Sequence, residues 1–429
     1  METIVVVGGG AGGLELVTSL SHKLGRKKKA KIILVDKNRT HIWKPLLHEV
    51  ATGALDTSTD EVIYRAHASR HHYDFKLGTM TSMNNEEKYI TLAPLVDENK
   101  KQIVGERKLH FDKLVLAVGS VSNDFGTPGV SDHCFFLDSQ SQAEKFHKAL
   151  LNQFLRMDQS PDDSLLHLAI VGGGATGVEL AAEMYHVADL LKIYGLPAMT
   201  KQRLKLTLIE AGPRILPALP ERIAASAKQE LVKLGVNVRE NTKVTSATEL
   251  GFAANEDEHI NADMMVWAAG VKAPEFITKM GLFETNRMGQ ILVKPTLQST
   301  ISDDVFVIGD CCGCQQADGK WVPPRAQSAH QMATQVLKNL IAQQQNKPLK
   351  DYVYKDHGSL VNLSRYSTVG SLMGNLSKGT MFVEGRLARI VYVSLYRMHQ
   401  FAVHGWLRAS AIMLAQKIGR TVKPKMKLH

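Results

Sequence analysis

Val7-Gly8-Gly9-Gly10-Ala11-Gly12-Gly13-Leu14-Glu15-Leu16 returns further along the chain as Val171-Gly172-Gly173-Gly174-Ala175-Thr176-Gly177-Val178-Glu179-Leu180, eight of ten positions identical. Each copy follows a short apolar run, Ile4 to Val7 and Leu168 to Val171, and opens a stretch of helical character. Each is followed by a second apolar run ending in an acid: Lys31-Ile-Ile-Leu-Val-Asp36 and Lys205-Leu-Thr-Leu-Ile-Glu210. Strand, glycine turn, helix, strand, acid is the order of a mononucleotide-binding βαβ unit. Two such units specify an α/β chain with two Rossmann-type dinucleotide-binding domains.

The spacing assigns each glycine a task. Gly8 and Gly172 permit the tight turn after the strand, and Gly10 and Gly174 let backbone approach a pyrophosphate. Gly13 and Gly177 let helix and strand pack closely, so that the helix N-terminus faces the phosphates. Gly12, and the strand-end glycines Gly119 and Gly270, are counted with this cofactor-binding set. A single GxGxxG is weak evidence, because many glycine-rich turns match it; two copies in matching context, each with its acid, are not. Asp36 and Glu210 are each expected to accept hydrogen bonds from ribose hydroxyls, and Glu210, by repelling a 2′-phosphate, favours NADH over NADPH. Arg214 works against that preference, since a basic group there could receive a phosphate. Two dinucleotide sites imply non-covalent FAD in the first and a nicotinamide in the second. Asp310, after the apolar run Val305 to Gly309, is expected to bind flavin ribityl or ribose hydroxyls; an Asp after a Gly is otherwise most often a turn residue.

A chain of 429 residues suits two or three domains, and 22% charged with 44% apolar residues is ordinary for a globular protein. We expect an FAD-binding domain over 1–156 and 291–345, an NADH-binding domain inserted over 157–290, and a C-terminal region over 346–429. Residues 157–163 read as a linker and 84–108, charged and turn-rich, as a surface excursion. Four cysteines, three of them at Cys311, Cys312 and Cys314, make no disulfide framework and suit a reducing compartment. The N-terminus runs straight into an apolar strand, with no basic segment or long apolar stretch of a secretory signal.

The net charge of +10 is concentrated at one end. Residues 385–429 hold no Asp or Glu and nine Lys or Arg; setting those nine aside leaves 43 basic against 42 acidic residues. No run approaches the ~20 apolar residues of a spanning helix. Leu407, Ala411, Leu414 and Ile418 form one helical stripe, with Trp406 and Met413 beside it. Arg408, Lys417 and Arg420 flank the stripe, and Lys423, Lys425 and Lys427 follow. That is the profile of an interfacial helix on an anionic lipid surface. A core-packed or dimer-forming helix would also carry the stripe, though not the acid-free basic stretch, and a homodimer stays open.

The sequence resembles the type II NADH:quinone oxidoreductases, the single-subunit respiratory NADH dehydrogenases that do not pump protons, and most of all their enterobacterial-type members. The resemblance runs over essentially the whole chain. It is carried by Lys44-Pro45-Leu46-Leu47-His48-Glu49-Val50-Ala51-Thr52-Gly53, Arg214-Ile-Leu-Pro-Ala-Leu-Pro220 and Pro323-Pro324-Arg325-Ala326-Gln327-Ser328-Ala329-His330-Gln331. The last contains the family's AQxAxQ pattern, which implies Gln327 and Gln331 beside the flavin at the quinone site. Judged by itself, the pair reads as a solvated helix face. The resemblance also implies that Glu179 lies near flavin and nicotinamide as a proton-relaying carboxylate; Glu15 is expected to contact FAD ribose or cap backbone instead. Ubiquinone or menaquinone is the implied acceptor, and the implied place is peripheral, on the cytoplasmic side of a bacterial inner membrane.

Relatives built on the same two folds carry a redox cysteine pair shortly after the first acid. Lys37 to Gly53 contains none, which excludes a dithiol relay there. Cys311, Cys312 and Cys314 read first as small buried hydrophobes, with no metal site expected. The expected chemistry is hydride transfer from NADH to FAD, then two electrons to quinone. A soluble flavin reductase with a protein acceptor, and a non-catalytic nucleotide-sensing or nucleic-acid-binding protein using the basic tail, are the alternatives. Reoxidation by quinone and bleaching by NADH distinguish them.

Overall fold

The computed structural model describes residues 1–159, 164–191, 200–256, 258–363, 367–372 and 381–422. The chain opens with β1 (Glu2–Val7), α1 (Ala11–Leu20), β2 (Ala30–Asp36), β3 (Asp74–Leu77) and β4 (Lys113–Leu116). Helix α2 (Gln140–Gln159) leads into a second unit of β5 (Leu166–Val171), α3 (Ala175–Leu191), β6 (Leu204–Ile209), β7 (Asn237–Arg239) and β8 (Met264–Trp267). The chain then returns through β9 (Gln298–Ser299), β10 (Ser302–Val307) and α4 (Ala326–Gln344).

The first sheet runs β9-β10-β4-β1-β2-β3 and the second β7-β6-β5-β8. Every pairing is parallel except β9 with β10. Both sheets place the strand before the glycine turn centrally, with the acid-ending strand beside it, so each turn emerges where the strand order reverses and leaves a crevice. Val5 and Val6 of β1 and Leu168 and Ile170 of β5 are almost wholly buried, as expected of parallel strands covered on both faces.

Two expectations need correction. Residues 84–108 are more than a surface excursion: strands Met80–Asn84, Tyr89–Leu92 and Arg107–His110 form an antiparallel sheet whose inner face buries Met80, Met83, Ile90 and Leu92. Of the linker read at 157–163, Met157 to Gln159 form the last turn of α2, with Met157 buried, and 160–163 lie outside the described residues. A two-stranded ribbon, Val121–Ser122 with Val271–Lys272, ties the two units together.

The C-terminal region begins with antiparallel strands β11 (Gly358–Leu363), β12 (Ser367–Leu372) and β13 (Met381–Glu384). Helices α5 (Gly385–His404) and α6 (Trp406–Val422) follow, separated by Gly405, whose φ of 75° breaks the helix. Helix α5 packs on α1. Among its contacts, His67 Nε2 meets the Val403 carbonyl at 2.9 Å while His67 Nδ1 meets the Tyr73 hydroxyl at 2.9 Å. Asp60 Oδ1 accepts from Gln416 Nε2 at 2.6 Å, which ties α6 to the first unit as well. No described helix is long and apolar enough to cross a membrane.

Candidate active site

One cavity of about 1730 Å³ runs between the two units and under the C-terminal region. That exceeds the ~300–1,000 Å³ of a typical small-molecule pocket and leaves room for more than one ligand. The first glycine turn, Asp36, Gly119 and Asp310 line it at one end; Gly174, Thr176 and Glu179 bring in the second turn. Gln327, His330 and Gln331 line it from α4.

The turns are built for close approach. A Cβ on Gly13 would sit 1.9 Å from the Gly8 carbonyl oxygen, and one on Gly177 2.0 Å from that of Gly172. Both helices therefore press onto their strands only as glycine. A Cβ on Gly10 or Gly174 meets nothing within 4 Å. Backbone there faces open cavity, the cradle a pyrophosphate needs, so the residues fit the dinucleotides that the sequence implies.

Asp36 accepts from the Gly9 N–H at 2.6 Å and from the Asn38 N–H at 2.7 Å. Burial still pushes its carboxyl above the ordinary range, against those two bonds. Tyr64, itself buried, donates to the Gly9 carbonyl at 2.7 Å and locks the turn from behind. Around Asp310, the Ser120 hydroxyl donates to Oδ2 at 2.7 Å, and Lys44 Nζ donates to the Ser120 carbonyl at 2.9 Å. The Lys44–Gly53 stretch thus reaches this cradle at one end. Further along, Leu47, Val50 and Ala51 join the core that also holds Val178 and Leu180 of α3, which couples the units.

Glu210 holds the second turn as Asp36 holds the first: its carboxylate accepts from Gly173 N–H at 2.8 Å and Gly212 N–H at 2.7 Å. Glu210 is not among the cavity-lining residues; neither are Gly172 and Gly177, which lie beneath the turn. Gly270, with φ of 63°, sits under the Phe125 ring beside the inter-unit ribbon and likewise does not line the cavity.

Helix α4 starts at Ala326, after Pro323 and Pro324, and Ser328 Oγ donates back to the Pro323 carbonyl at 2.7 Å. Both glutamines are occupied. Gln331 Nε2 donates to the Lys355 carbonyl at 2.8 Å, and its oxygen accepts from the Lys355 N–H at 3.0 Å. Gln327 Nε2 donates to the Gly358 carbonyl at 3.2 Å, and its oxygen accepts from the His357 N–H at 3.2 Å. The pair clasps the segment 355–358 against the cavity mouth, a function that no reading of α4 alone could reveal.

Glu179 is buried, with one carboxylate oxygen 3.7 Å from His48 Nδ1. Burial pulls His48 down to about 4, so that ring is neutral near pH 7. Glu15, its counterpart in the first repeat, is 6% exposed and held by two histidines from distant parts of the chain. It contacts imidazoles rather than capping backbone. Nothing in the local sequence announced those partners. Cys311, Cys312 and Cys314 are buried, and burial raises all three thiols, Cys311 to about 12 and Cys314 to about 11. All three pack in the core of the first unit, where burial disfavours their thiolates.

Residues 2–333 match the pyridine nucleotide-disulphide oxidoreductase family. Over the full length of both chains, the sequence is 47% identical to the type II NADH:quinone oxidoreductase of Haemophilus influenzae. It is 29% identical to the enzyme of that name from Staphylococcus aureus, over 87% of this chain and 90% of the other. Among solved structures, the fold resembles the NDH2 of Plasmodium falciparum in complex with NADH, with a TM-score of 0.83 at 20% identity, covering 99% of this chain and all of that one. The sulfide:quinone oxidoreductase of Aquifex aeolicus follows the same fold, with a TM-score of 0.75 at 15% identity over 98% of this chain and 95% of the other.

Proposed function

Because the chain belongs to the type II NADH:quinone oxidoreductases, within the pyridine nucleotide-disulphide oxidoreductase family, we propose that it oxidises NADH and reduces a membrane quinone through bound FAD, without pumping protons. The observation that carries this function is the single cavity reached by both glycine turns and by α4. Donor, cofactor and acceptor sites open into one space, so electrons need not be relayed through the protein.

Gly8, Gly10, Gly13, Gly119, Asp36 and Asp310 would hold FAD, which when bound takes up a hydride and passes on electrons in pairs. The α1 N-terminus after Gly10 would offer its backbone N–H groups to phosphate charge, and Asp36 would accept from a ribose hydroxyl. Gly174 and Thr176 would receive the NADH pyrophosphate at the α3 N-terminus. Glu210 disfavours a 2′-phosphate from its place beside Gly173. Gln327 and Gln331 shape the acceptor end by fixing the segment 355–358. Protons for the reduced acceptor come from groups on the cavity wall.

We assign the acceptor end to the membrane side. Leu407, Leu414 and Ile418 of α6 are 83%, 61% and 57% exposed, and Trp406 is 72% exposed. The exposed stripe, with Arg408 and Lys417 also exposed, fits peripheral attachment to an anionic lipid surface. The side chain of Arg420, and Lys423, Lys425 and Lys427 altogether, lie outside the described residues.

Anaerobic addition of NADH to the purified holoenzyme tests the whole assignment. The flavin absorbance should bleach with one equivalent, and a soluble quinone analogue should restore it. Bleaching by NADH with no restoration by any quinone would exclude the acceptor.

A further inference from the structure

We propose that His330 is the proton donor to the acceptor in this cavity, with Glu15 as the positioning residue that keeps it charged. This role rests on the cavity being a quinone-reducing site, and it names a residue that the AQxAxQ pattern leaves unspecified.

His330 lies on α4 between the two glutamines, three residues after Gln327 and one before Gln331. Its Nδ1 donates to Glu15 Oε2 at 2.5 Å, reaching from α4 to α1. The other carboxylate oxygen meets His399 Nδ1 of α5 at 2.6 Å, and His399 Nε2 meets His41 Nε2 at 3.0 Å. Glu15, His399 and His41 are each at most 6% exposed. A carboxylate so buried costs free energy unless a positive partner accompanies it. Glu15, His41 and His399 also border the cavity, but His330 is the most exposed member of the chain, with its side chain 40% exposed. Among the described residues, its Nε2 has no hydrogen-bond partner.

The charge states agree with the geometry. Burial by itself would raise Glu15, but the bonds from His330 and His399 outweigh it and hold the carboxyl below its ordinary range. The bond to Glu15 in turn holds the His330 imidazolium above the ordinary histidine value, against its partial burial. Burial first, then His399, keeps His41 neutral. Of the two groups whose charge the pairing favours, Glu15 and His330, His330 is the more exposed to the cavity.

Stoichiometry supplies the need. NADH contributes two electrons and one hydrogen as hydride, whereas a quinol carries two hydrogens more than its quinone. The second must arrive as a proton. In the proposed step the His330 Nε2–H bond breaks and an O–H bond forms on the quinone oxygen, while the electron pair from NADH reduces the ring. The neutral imidazole then regains a proton from water through its exposed face, and Glu15 stays ionised throughout. His48 has no proton to give near neutral pH. Glu179, on the same cavity wall, is the competing donor. Other titratable groups near α4 are Asp356 and His357 from the clasped segment, Arg325 just before the helix, Asp310 from the turn packed against it, Lys338 on α4 and Glu2 at its far end.

Stopped-flow kinetics of each half-reaction between about pH 5.5 and 9, on the parent, His330→Gln and Glu15→Gln, gives the first test. Reduction by NADH should be nearly unchanged in both variants. Reoxidation by a soluble quinone should fall about a hundredfold in His330→Gln, the low end of general-acid contributions. The parent's alkaline decline in reoxidation should vanish with it. In Glu15→Gln the decline should move to lower pH, toward the ordinary histidine value of about 6.5. The second test is an NMR titration of ¹³C-histidine-labelled protein, with the His330 signal assigned by its loss in His330→Gln. That signal should titrate above the ordinary value in the parent and drop in Glu15→Gln. Parent-like reoxidation with an unchanged pH profile in His330→Gln overturns the proposal; so does a His330 signal indifferent to Glu15→Gln. If His330→Gln does not fold, Glu15→Gln, which retains the ring, decides by its pH profile. A parent that NADH cannot reduce would overturn the assigned function, while the titration still decides whether Glu15 holds this proton.

Discussion

Removing the apolar stripe of α6 should release the protein from membranes without touching its chemistry. Full burial of a leucine side chain contributes roughly 2 kcal/mol. Leu407 is 83% exposed and Leu414 61%. Scaling by those exposures, transfer of both into a lipid surface recovers about 3 kcal/mol, or about a hundredfold in partition coefficient. The basic residues nearby add about 1 kcal/mol each at low salt, but at about 1 M salt the Debye length is about 3 Å and little of that survives. Leu407→Ser with Leu414→Ser should therefore lower binding to anionic vesicles by about a hundredfold at high salt. Cosedimentation across a salt series reads the partition coefficient directly. Neither residue lines the cavity, so turnover with a soluble quinone should persist. If the double variant partitions like the parent at high salt, the exposed stripe serves some other contact and the lipid assignment fails.

Three further outcomes follow from the site. Tyr64→Phe leaves the buried Gly9 carbonyl without its donor; it should cost about 1–2 kcal/mol in chemical denaturation and weaken FAD retention on dilution. Gln327→Leu unfastens 355–358 and should slow reoxidation by quinone while sparing reduction by NADH in stopped flow; equal slowing of both would relocate Gln327 to the flavin end. Acid should destabilise the fold early. Burial depresses His48 to about 4, His67 to about 3 and His71 to about 4, whereas all three take up protons near 6.5 once unfolded. The unfolded chain thus binds more protons between those values, so stability falls as pH drops from about 6.5 toward 4. Scanning calorimetry should show Tm declining through that window, less steeply in His48→Gln.

The parts of this molecule that were legible in advance are the local ones. Strand, glycine turn, helix and acid run from Glu2 to Asp36 in the first unit and from Leu166 to Glu210 in the second, and their order alone dictates a central strand and a crevice. The antiparallel sheet from Met80 to His110 escaped because its strands are short. Met80–Asn84 breaks its alternation at a bulge, and Ile90, Thr91 and Leu92 are buried in succession, so no clean period of two marks either strand. Glu15 escaped for a different reason. Its partners lie 315 and 384 positions away, and no periodicity of α1 points to them. The glutamines of α4 carried a pattern but not its physical use, since the backbone they clasp belongs to an irregular segment. The stripe on α6 was visible as spacing; that it faces outward required the fold.

The position of β10 has a consequence for how the protein is made. It pairs with β4, and Lys113 beside that pairing meets Asp304, 191 positions later. At about 5–20 residues per second, a ribosome takes roughly 10–40 s to synthesise that interval. Throughout it, β4 stands as the unpaired edge of a half-built sheet, rich in apolar residues and ready to join any strand that approaches. The second unit, whose four strands are contiguous in the chain, can complete itself in the meantime. Synthesis therefore favours finishing the inserted unit before the one that encloses it, and the nascent chain is most exposed to misassociation just before Phe306 and Val307 emerge.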